Sequence, residues 1–514
     1  MGAGPTGLAV AVLLAQRGVP VLLLERQAVP YALPRGVHLD DEVHRLLQRL
    51  SVADDFARIS SPAAGMRLVD ADHRVLAEFR RSGGTEVHGW PQANLFDQPD
   101  LEALLRARLD ALGVPVRHGA EVLRVDPTGP AVTYRQDGTV VDVAAAAVLA
   151  CDGAASPLRG QLGLGWRVLG RNERWMVVDL RSPRPLDVWD GVVQRCDPVR
   201  PATFVRVGPG RYRCELRLPP GETAAQTGLD RLLPPWTGGA VPADLEVLRV
   251  AEYVFGAGVA RRWRQGLVLL LGDAAHLTPP FTGQGLGAGL RDADNLAWKL
   301  TRVLQDGAPE ALLDTYQQER APHVRGLVRL AVLVGRLVNA GGPLSAGPRR
   351  LALRLLPRLP WLRARVLDSA TPALRGGPLA GRGLVGTLLP QPRVRAGGRR
   401  VRLDDLLGPG LAVLTRVPPD PALLELAADL RAPVLGLAGV RGPGVLALDD
   451  DGGLLAGSGA SAVVVRPDRA VLAVARSRSP GTELRTRRAA ALTLLGASPD
   501  RVTHARRGGV EVPP

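Results

Sequence analysis

The amino-terminal third of the chain alternates between two kinds of apolar segment. After Gly7, the stretch "LAVAVLLAQRG" is apolar on most faces and stops at Gly18, which predicts a buried helix. Residues 19–25, "VPVLLLE", form a short apolar run that ends in an acid, which is typical of a buried parallel strand. A second helix, "LEALLRARLDAL", follows Pro99 and Asp100, and the strand-like "VPVRHG", "AEVLRV" and "AAVLACDG" come after it. This order of helices and strands predicts an α/β domain.

The pattern changes in the middle of the chain. Residues from about 166 to 265 alternate polar and apolar positions, as in "RYRCELRL", which predicts a largely antiparallel sheet with one covered face. At "GLVLLLGDAAH" the buried-strand pattern returns, and a long helix is predicted in "LRDADNLAWKLTRVLQDG". Two further helical stretches are predicted in "ALLDTYQQERAPHVRGLVRLAVLVGRLV". Short strands and helices in residues 380–514 indicate a third unit.

Composition narrows the possible functions. The 514 residues are enough for two or three domains with a sizeable core. The net charge of +15 comes from arginines spread along the whole chain, which argues against a nucleic-acid surface. No apolar run is long enough to span a membrane. Cys151, Cys196 and Cys214 form no metal-ligand spacing, and so sparse a set suits a reducing cytoplasm.

A glycine-rich loop, "GAGPTG", opens the first helix. Gly2 would allow a tight turn, Gly4 would let a pyrophosphate approach the backbone, and Gly7 would let helix pack on strand. The amides at the helix start would hold the phosphates, and Glu25, at the end of the next strand, would accept ribose hydroxyls. A plain glycine turn explains neither the spacing nor Glu25. The predicted cofactor-binding residues of this unit are Gly2, Ala3, Gly4, Pro5, Thr6, Gly7, Glu25 and Arg26.

The loop alone does not separate NAD from FAD, but two later stretches do. "CDG" at 151–153 and "LLLGDAAHLTPPFTGQGLGAGLRDADNLAWKL" at 269–300 resemble the flavoprotein aromatic hydroxylases of the p-hydroxybenzoate hydroxylase type. The resemblance implies that FAD is the cofactor, that Asp273 binds its ribityl chain, and that Pro280 and the following G-Q-G lie against the isoalloxazine ring. It assigns cofactor contacts to Arg35, Gln98, Asp152, Gly153, Gly272, Asp273, Pro280, Gly283, Gln284, Gly285, Leu286 and Gly287.

Further stretches look like the 3-(3-hydroxyphenyl)propionate or 3-hydroxycinnamate hydroxylase subgroup. They include "PRGVHLDDEVHRLLQ", "HGWPQANLFDQPDLEALL" and "LLDTYQQER", and they span almost the whole chain. The resemblance implies ortho-hydroxylation of a phenolic acid: NADH or NADPH, bound transiently, reduces FAD, O₂ adds at flavin C4a, and the hydroperoxide transfers OH to the ring. Two alternatives stay open, namely a hydroxylase of aromatic polyketides and a flavin-binding protein without turnover.

Two residues are candidates for catalysis or substrate binding. His38 lies near the Arg35 loop and could take part in proton transfer from the phenol, although a packing or capping histidine explains it as well. Arg200, in "CDPVRP", could hold a propionate carboxylate, although a surface role also explains it in a chain so rich in arginine. We interpret His276 as a structural residue beside Asp273.

The resemblance also implies a domain plan. It comprises a Rossmann-type FAD-binding domain, an interleaved antiparallel-sheet substrate domain, and a carboxy-terminal thioredoxin-like domain that holds no cysteine and is suited to packing or to a homodimer. The expected segments are the FAD-binding domain in 1–74, 96–165 and 266–345, the substrate domain in 75–95 and 166–265, a basic linker in 346–379, and the thioredoxin-like domain in 380–514.

The chain departs from the family pattern at two places. Gly287 stands where the family usually has an asparagine, which we expect to cap the long helix, so glycine would take over that capping position. The family also begins with an apolar strand before the glycine-rich loop, whereas only Met1 precedes it here. Because losing a central strand would cost much of a domain's stability, we expect the natural chain to be longer by about five to fifteen residues.

Overall fold

The computed structural model describes residues 1–30, 36–81, 87–129, 131–237, 245–339, 372–451 and 453–496. They form two compact units. The first comprises Met1–Thr301 and Tyr316–Pro372, and the second comprises Arg302–Thr315 and Ala373–Pro514. The predicted basic linker falls largely outside the described residues. None of the helices in these ranges is both long and apolar enough to cross a membrane.

Parallel strands in the first unit frame the glycine-rich loop. β1 (Leu23–Glu25) pairs with β7 (Val116–His118), and β11 (Val148–Ala150) pairs with β20 (Val268–Leu270). The Gly2 amide donates to the Leu24 carbonyl at 2.7 Å, and the Cys151 amide donates to the Met1 carbonyl at 2.9 Å. The start of the loop therefore lies between the two strand pairs. The predicted strand at 19–25 is shorter than expected, because only Leu23–Glu25 pairs with a neighbour.

The following helices lie wholly or mainly in the first unit. Their bounds are α1 (Pro5–Ala15), α2 (Asp41–Arg49), α3 (Ala53–Ile59), α4 (Gln98–Ala111), α5 (Pro157–Gln161), α6 (Leu229–Leu232), α7 (Gly285–Gln305) and α8 (Ala311–Asn339). Helix α8 corrects the expectation of two helical stretches, because it continues through Pro322. Burial of Val324, Val328 and Ala331 stabilises the segment after the proline, which outweighs the missing hydrogen bond.

Small sheets complete the cofactor side of the unit. Their strands are β2 (His38–Asp40), β3 (Ser61–Pro62), β6 (Ala93–Leu95), β8 (Glu121–Asp126), β9 (Ala131–Gln136), β10 (Thr139–Ala144), β12 (Trp166–Val168), β18 (Gly258–Ala260), β19 (Arg264–Gln265) and β21 (His276–Leu277). Strand β6 lies between β2 and β3, and β19 pairs antiparallel with β20.

A seven-stranded sheet with the order β17-β13-β16-β15-β14-β4-β5 forms the other half of the unit. Its strands are β4 (Gly65–Val69), β5 (Val75–Arg80), β13 (Glu173–Arg181), β14 (Val192–Arg195), β15 (Ala202–Gly208), β16 (Arg211–Arg217) and β17 (Glu246–Phe255). The sheet thus includes residues 65–69, which the sequence placed in the first cofactor-binding segment. The five residues of β4 are too few and too apolar to show whether the strand belongs to the cofactor-binding domain or to the substrate domain. Its pairing with β14 places it in the seven-stranded sheet.

The second unit is the predicted thioredoxin-like domain. A five-stranded mixed sheet has the order β26-β25-β24-β27-β28, and a hairpin of β22 and β23 precedes it. The strands are β22 (Arg393–Ala396), β23 (Arg399–Arg402), β24 (Ala412–Thr415), β25 (Val434–Gly436), β26 (Val445–Ala447), β27 (Ala462–Val465) and β28 (Val471–Ala475). The helices are α9 (Asp404–Leu407), α10 (Pro421–Asp429), α11 (Pro480–Arg487) and α12 (Ala489–Leu494). Its sequence contains no cysteine, which excludes dithiol chemistry.

Candidate functional site

Gly2 and Gly7 of the amino-terminal loop have a steric reason within the protein, whereas Gly4 has none. Gly2 has a φ of +87°, and a Cβ there would lie 2.2 Å from the Cys151 carbonyl oxygen. A Cβ on Gly7 would lie 1.9 Å from the Gly2 carbonyl oxygen, so helix and loop require a glycine at this position. A Cβ on Gly4 would meet no atom within 4 Å. The loop is therefore tightly packed behind Gly2 and Gly7 and open in front of Gly4.

The start of helix α1 faces this open space without a side-chain cap. Gly4 is the N-cap, and no side chain accepts from the first amides of the helix. These amides and the positive end of the helix dipole suit a phosphate group. The Glu25 carboxylate accepts from the amides of Ala3 at 2.6 Å and Gln27 at 2.9 Å. Glu25 thus holds the loop in place, and Arg26 beside it is exposed.

Thr6 joins the loop to the later glycine-rich stretch. A Cβ on Gly272 would lie 2.8 Å from Thr6 Oγ1, and a Cβ on Gly289 would lie 2.4 Å from the same atom. Gly272 precedes Asp273, and Gly289 lies in the second turn of α7. Two stretches that are more than 260 residues apart in the sequence therefore meet at one threonine side chain.

Gln98 joins a third and a fourth stretch to the site. Its Oε1 accepts from the Gly36 amide at 2.6 Å, and its Nε2 donates to Glu102 at 2.7 Å. A Cβ on Gly36 would lie 2.9 Å from Leu286 Cδ2, so Gly36 lies against the start of α7. Arg35 itself lies outside the described residues.

Asp152 is the fifth predicted contact. Its carboxylate accepts from Ser156 Oγ at 2.7 Å and from the Leu158 amide at 3.2 Å, which fixes the start of α5. Gly153 follows with a φ of +82° and open space around its Cα. Since Cys151 contacts both Met1 and Gly2, the structure brings Asp152 close to the amino-terminal loop.

A buried carboxylate, which was not among the residues predicted from the sequence, fixes the G-D-A-A-H segment through hydrogen bonds. Asp292 accepts from the Gly272 amide at 3.1 Å, from His276 at 2.7 Å and from Arg320 at 2.8 Å. Burial raises the pKa of Asp292, but the charges of His276 and Arg320 outweigh burial and lower it. His276 is structural as expected, but its partner is Asp292 and not the exposed Asp273. The D-A-D-N pattern within α7 was the available signal.

Gly287 does not occupy the helix-capping position that was expected for it. The Ala288 amide donates to the Gln284 carbonyl at 2.9 Å, and α7 begins at Gly285. Gly287 therefore lies inside the first turn and does not cap it. A Cβ there would lie 2.9 Å from Arg291 Nη1 and 3.1 Å from Val43 Cγ2, so glycine leaves room for the Arg291 guanidinium.

His38 lies against the Pro280–Thr282 segment. A Cβ on Gly283 would lie 3.1 Å from His38 Nδ1, and this buried nitrogen has no well-formed hydrogen bond to another described residue. Burial, helped by Arg81, lowers the pKa of His38 to about 4, although Asp40 opposes this shift. The imidazole is therefore neutral at pH 7. Its position beside Gly283 is consistent with the predicted place near the cofactor.

Arg200 lies in the loop between β14 and β15. Its Nη2 donates to both carboxylate oxygens of Glu222, at 2.7 and 3.0 Å. Its Nη1 is buried and has no hydrogen-bond partner among the described residues. A substrate carboxylate that used both nitrogens would have to compete with Glu222.

The arrangement fits a dinucleotide that carries a flavin. The space at Gly4 and the uncapped α1 suit a pyrophosphate, and Asp273 is exposed at the next turn. The Gly283–Gly285 backbone and the start of α7 follow. The site therefore defines a flavin-dinucleotide protein.

Comparison with known proteins supports this class. The family described as "FAD binding domain" matches residues 1–331, and the "HcaD C-terminal domain" family matches residues 386–490. The chain is 35% identical to a 3-(3-hydroxy-phenyl)propionate/3-hydroxycinnamic acid hydroxylase of Mycobacterium sp. (strain JLS), over 80% of this chain and 74% of the relative. It is 36% identical to a protein of Rhodococcus jostii (strain RHA1) named "Probable NADH-specific resorcinol 4-hydroxylase", over 81% and 78% of the two chains.

A solved structure shows the same fold. Aklavinone-11 hydroxylase in complex with FAD and aklavinone has a TM-score of 0.75 and 23% identity, and the match covers 96% of this chain and 98% of that one. At this identity the match concerns the fold alone. Together with the family matches and the relatives, these findings show that the chain belongs to the FAD-dependent aromatic hydroxylases.

Proposed function

We propose that this enzyme uses NAD(P)H and O₂ to ortho-hydroxylate a single-ring phenolic acid, such as 3-(3-hydroxyphenyl)propionate or 3-hydroxycinnamate. The observation that carries the proposal is the convergence of five separated stretches on one candidate cofactor site, in a chain whose relatives are named for hydroxylation of small phenols. FAD, when bound, supplies the oxygen-activating chemistry, since the protein's side chains alone cannot reduce O₂.

The chain's own residues bind, orient and exclude water. The amides at the start of α1 would hold the pyrophosphate, and the amides in the first turn of α7 would be available to the flavin. Trp175, Phe255 and Phe281 form an aromatic group in which the Trp175 ring centroid lies 5.9 Å from that of Phe255 and 5.7 Å from that of Phe281. This group keeps water from the reacting atoms. His38, which is neutral at pH 7, can accept a hydrogen bond from the substrate.

An assay with four substrates tests the proposal. FAD-loaded enzyme is supplied with NADH or NADPH and with 3-(3-hydroxyphenyl)propionate, 3-hydroxycinnamate, resorcinol or a tetracyclic aromatic polyketide. We expect the phenolic acids to stimulate nicotinamide oxidation and to gain one oxygen ortho to the hydroxyl, as measured by mass spectrometry. Turnover of the polyketide alone would show that the enzyme is a hydroxylase of aromatic polyketides. If none of the four compounds stimulated nicotinamide oxidation, the chain would be a flavin-binding protein without this activity.

Arg200 is the proposed contact for the substrate carboxylate. Its buried Nη1 is the donor that Glu222 does not use. In R200Q we expect a higher KM for 3-(3-hydroxyphenyl)propionate and an unchanged KM for resorcinol, which has no carboxylate. A parallel rise for both compounds would mean that Arg200 only maintains the loop through Glu222.

We also propose a cytoplasmic enzyme whose second unit serves in packing or in a homodimer. The three cysteines are free, which suits a reducing compartment. The binding partners would be the phenol, O₂ and NAD(P)H, with neither nucleic acid nor membrane among them, because the arginines are dispersed along the chain. The mass of the purified enzyme in solution tests for the dimer.

A further inference from the structure

The seven-stranded sheet has one apolar face and one face with charged residues. Met176, Val178 and Leu180 belong to a hydrophobic core together with Tyr212, Cys214 and Leu216 on the neighbouring strand. Because side chains alternate along a strand, Val177 and Glu215 lie on the opposite face, where they are register partners. Glu215 therefore points away from this core.

Contacts on both sides of Glu215 join this second face of the sheet to the segments predicted to bind the cofactor. At one end the Trp175 ring packs edge-on against Phe281, which belongs to the segment predicted to lie against the flavin. At the other end Val205 packs with Leu95.

The predicted cofactor segment connects the two sides. Leu95 is the register partner of His38, and His38 lies against Gly283, two residues after Phe281. A series of neighbouring residues therefore connects Trp175 to Val205 on the sheet. It passes through Phe281, Gly283, His38 and Leu95. Val205 is the register partner of Arg213, two residues before Glu215.

Among the described residues of this face, Asp179 has two close cationic partners, whereas Glu215 has one longer ion pair. Asp179 accepts from Arg213 at 2.8 Å and from Arg249 at 2.9 Å. The nearest cation to Glu215 is Arg213, at 3.7 Å, which is too long for a hydrogen bond. The Glu215 side chain is 14% exposed and forms no hydrogen bond with any residue in the described ranges. Burial raises the pKa of Glu215, and Asp179 adds to this shift while Arg213 and Arg249 oppose it.

Two buried polar atoms in and beside the segment 280–283 also lack well-formed hydrogen bonds to the described residues, namely Thr282 Oγ1 and His38 Nδ1. Buried polar groups are nearly always hydrogen-bonded in native proteins, so these atoms indicate a polar ligand near the predicted cofactor segment. Together with Glu215 they suit a ring that carries a hydroxyl group.

We propose that Glu215 accepts a hydrogen bond from the phenolic hydroxyl of the substrate and thereby selects phenols over rings without this group. This inference rests on the proposed function and names a residue that would recognise its substrate. The phenol O–H donates to a Glu215 carboxylate oxygen, the hydroxyl oxygen gains electron density, and the proton remains available to return to the product. Because the pKa of Glu215 is raised, it lies closer to the pKa of a phenol. A smaller difference between these two pKa values makes the carboxylate a more effective proton acceptor.

Binding measurements on E215Q test the proposal. Calorimetry on the FAD-loaded protein gives the Kd of 3-(3-hydroxyphenyl)propionate and of 3-phenylpropionate, which lacks the hydroxyl. We expect E215Q to raise the Kd of the phenol about tenfold and to leave that of the other acid unchanged, as for loss of a charge-assisted hydrogen bond. E246Q, which alters an exposed carboxylate of the same sheet, serves as the matched control.

The outcomes separate the two proposals. If E215Q weakens both acids equally, or neither, Glu215 does not recognise the hydroxyl, while the proposed function still stands on wild-type turnover. If the wild-type protein binds and oxidises no phenol, both proposals fail. Should E215Q lose FAD or unfold, E215D retains the carboxylate one methylene further from the ligand and should still weaken the phenol selectively.

Discussion

Gly4 shows how a single residue separates folding from cofactor binding. Its φ of −75° and ψ of 178° are open to any amino acid, and a Cβ there would meet only empty space. The protein itself therefore does not require glycine at this position, whereas a pyrophosphate lying on the loop does. In G4V we expect the thermal stability without FAD to stay within about 2 °C of wild type, and the Kd for FAD to rise at least about tenfold.

Flavin fluorescence titration and a thermal melt on the same samples check this expectation. G129V, the same substitution in the described turn after β8, is the control. If G4V bound FAD as tightly as wild type, the pyrophosphate would lie elsewhere.

Asp41 carries a second prediction at this scale. Burial, followed by the charges of Asp40 and Glu42, raises its pKa to about 8. Between pH 4 and 8 the folded protein holds a proton that the unfolded chain has lost, so this group lowers the stability as the pH rises through that window. D41N removes the effect and should stabilise the protein by about 2–4 kcal/mol at pH 9, with almost no effect at pH 4.

Chemical denaturation at both pH values measures the difference. D55N, at an exposed carboxylate of α3, should change the stability equally little at both. A D41N effect that is independent of pH would show that packing, and not the protonation of Asp41, is responsible.

Individual residues were predictable where a local steric rule applies. The roles of Gly2 and Gly7 follow from spacing alone, because the turn and the helix contact are local. Asp292 was marked only by the D-A-D-N pattern, because its partners His276 and Arg320 lie 16 and 28 residues away. Glu215 was missed because nothing in its immediate sequence distinguishes it from other alternating charged residues of the sheet.

Two glycines on helix α8 give a prediction at the scale of elements. Gly335 lets the helix approach the cofactor segment, since a Cβ there would lie 2.4 Å from the Phe281 ring. Gly326, on the same helix, has no atom within 4 Å of its Cβ position. G326A should therefore stabilise the protein by up to about 1 kcal/mol through helix propensity, whereas G335A should destabilise it by about 1–3 kcal/mol.

The same pair separates stability from catalysis. Displacing Phe281 in G335A should let water reach the reacting atoms, so that more NADH is oxidised per molecule of hydroxylated product than in wild type or G326A. Thermal melts and product-to-NADH ratios provide both measurements. Equal stability of the two variants would contradict the described contact between α8 and Phe281.

The elements were predictable where periodicity is long and failed where pairing decides. The helices around "LEALLRARLDAL" and "LRDADNLAWKL" were anticipated because their apolar positions repeat over several turns. Helix α8 appeared as two stretches because Pro322 is a local signal against helix, while the burial that carries the helix past it is tertiary. Strand β4 was expected in the cofactor-binding domain but lies in the seven-stranded sheet, because five residues do not determine which strand they pair with.

For the whole molecule, the central claim is that distant stretches form one flavin site. The loop at Gly4, the carboxylate of Asp152, the amide of Gln98 and the start of α7 meet through contacts at Thr6, Gly36 and Cys151. Composition could not reveal this convergence, and the family resemblance could only imply it.

The most direct measurement is the amount of flavin bound per chain. Purified protein is incubated with excess FAD, freed of unbound cofactor by gel filtration, and its flavin absorbance is compared with its protein concentration. The structure predicts a yellow protein with close to one FAD per chain. A folded protein that emerges colourless and takes up no FAD would contradict the account.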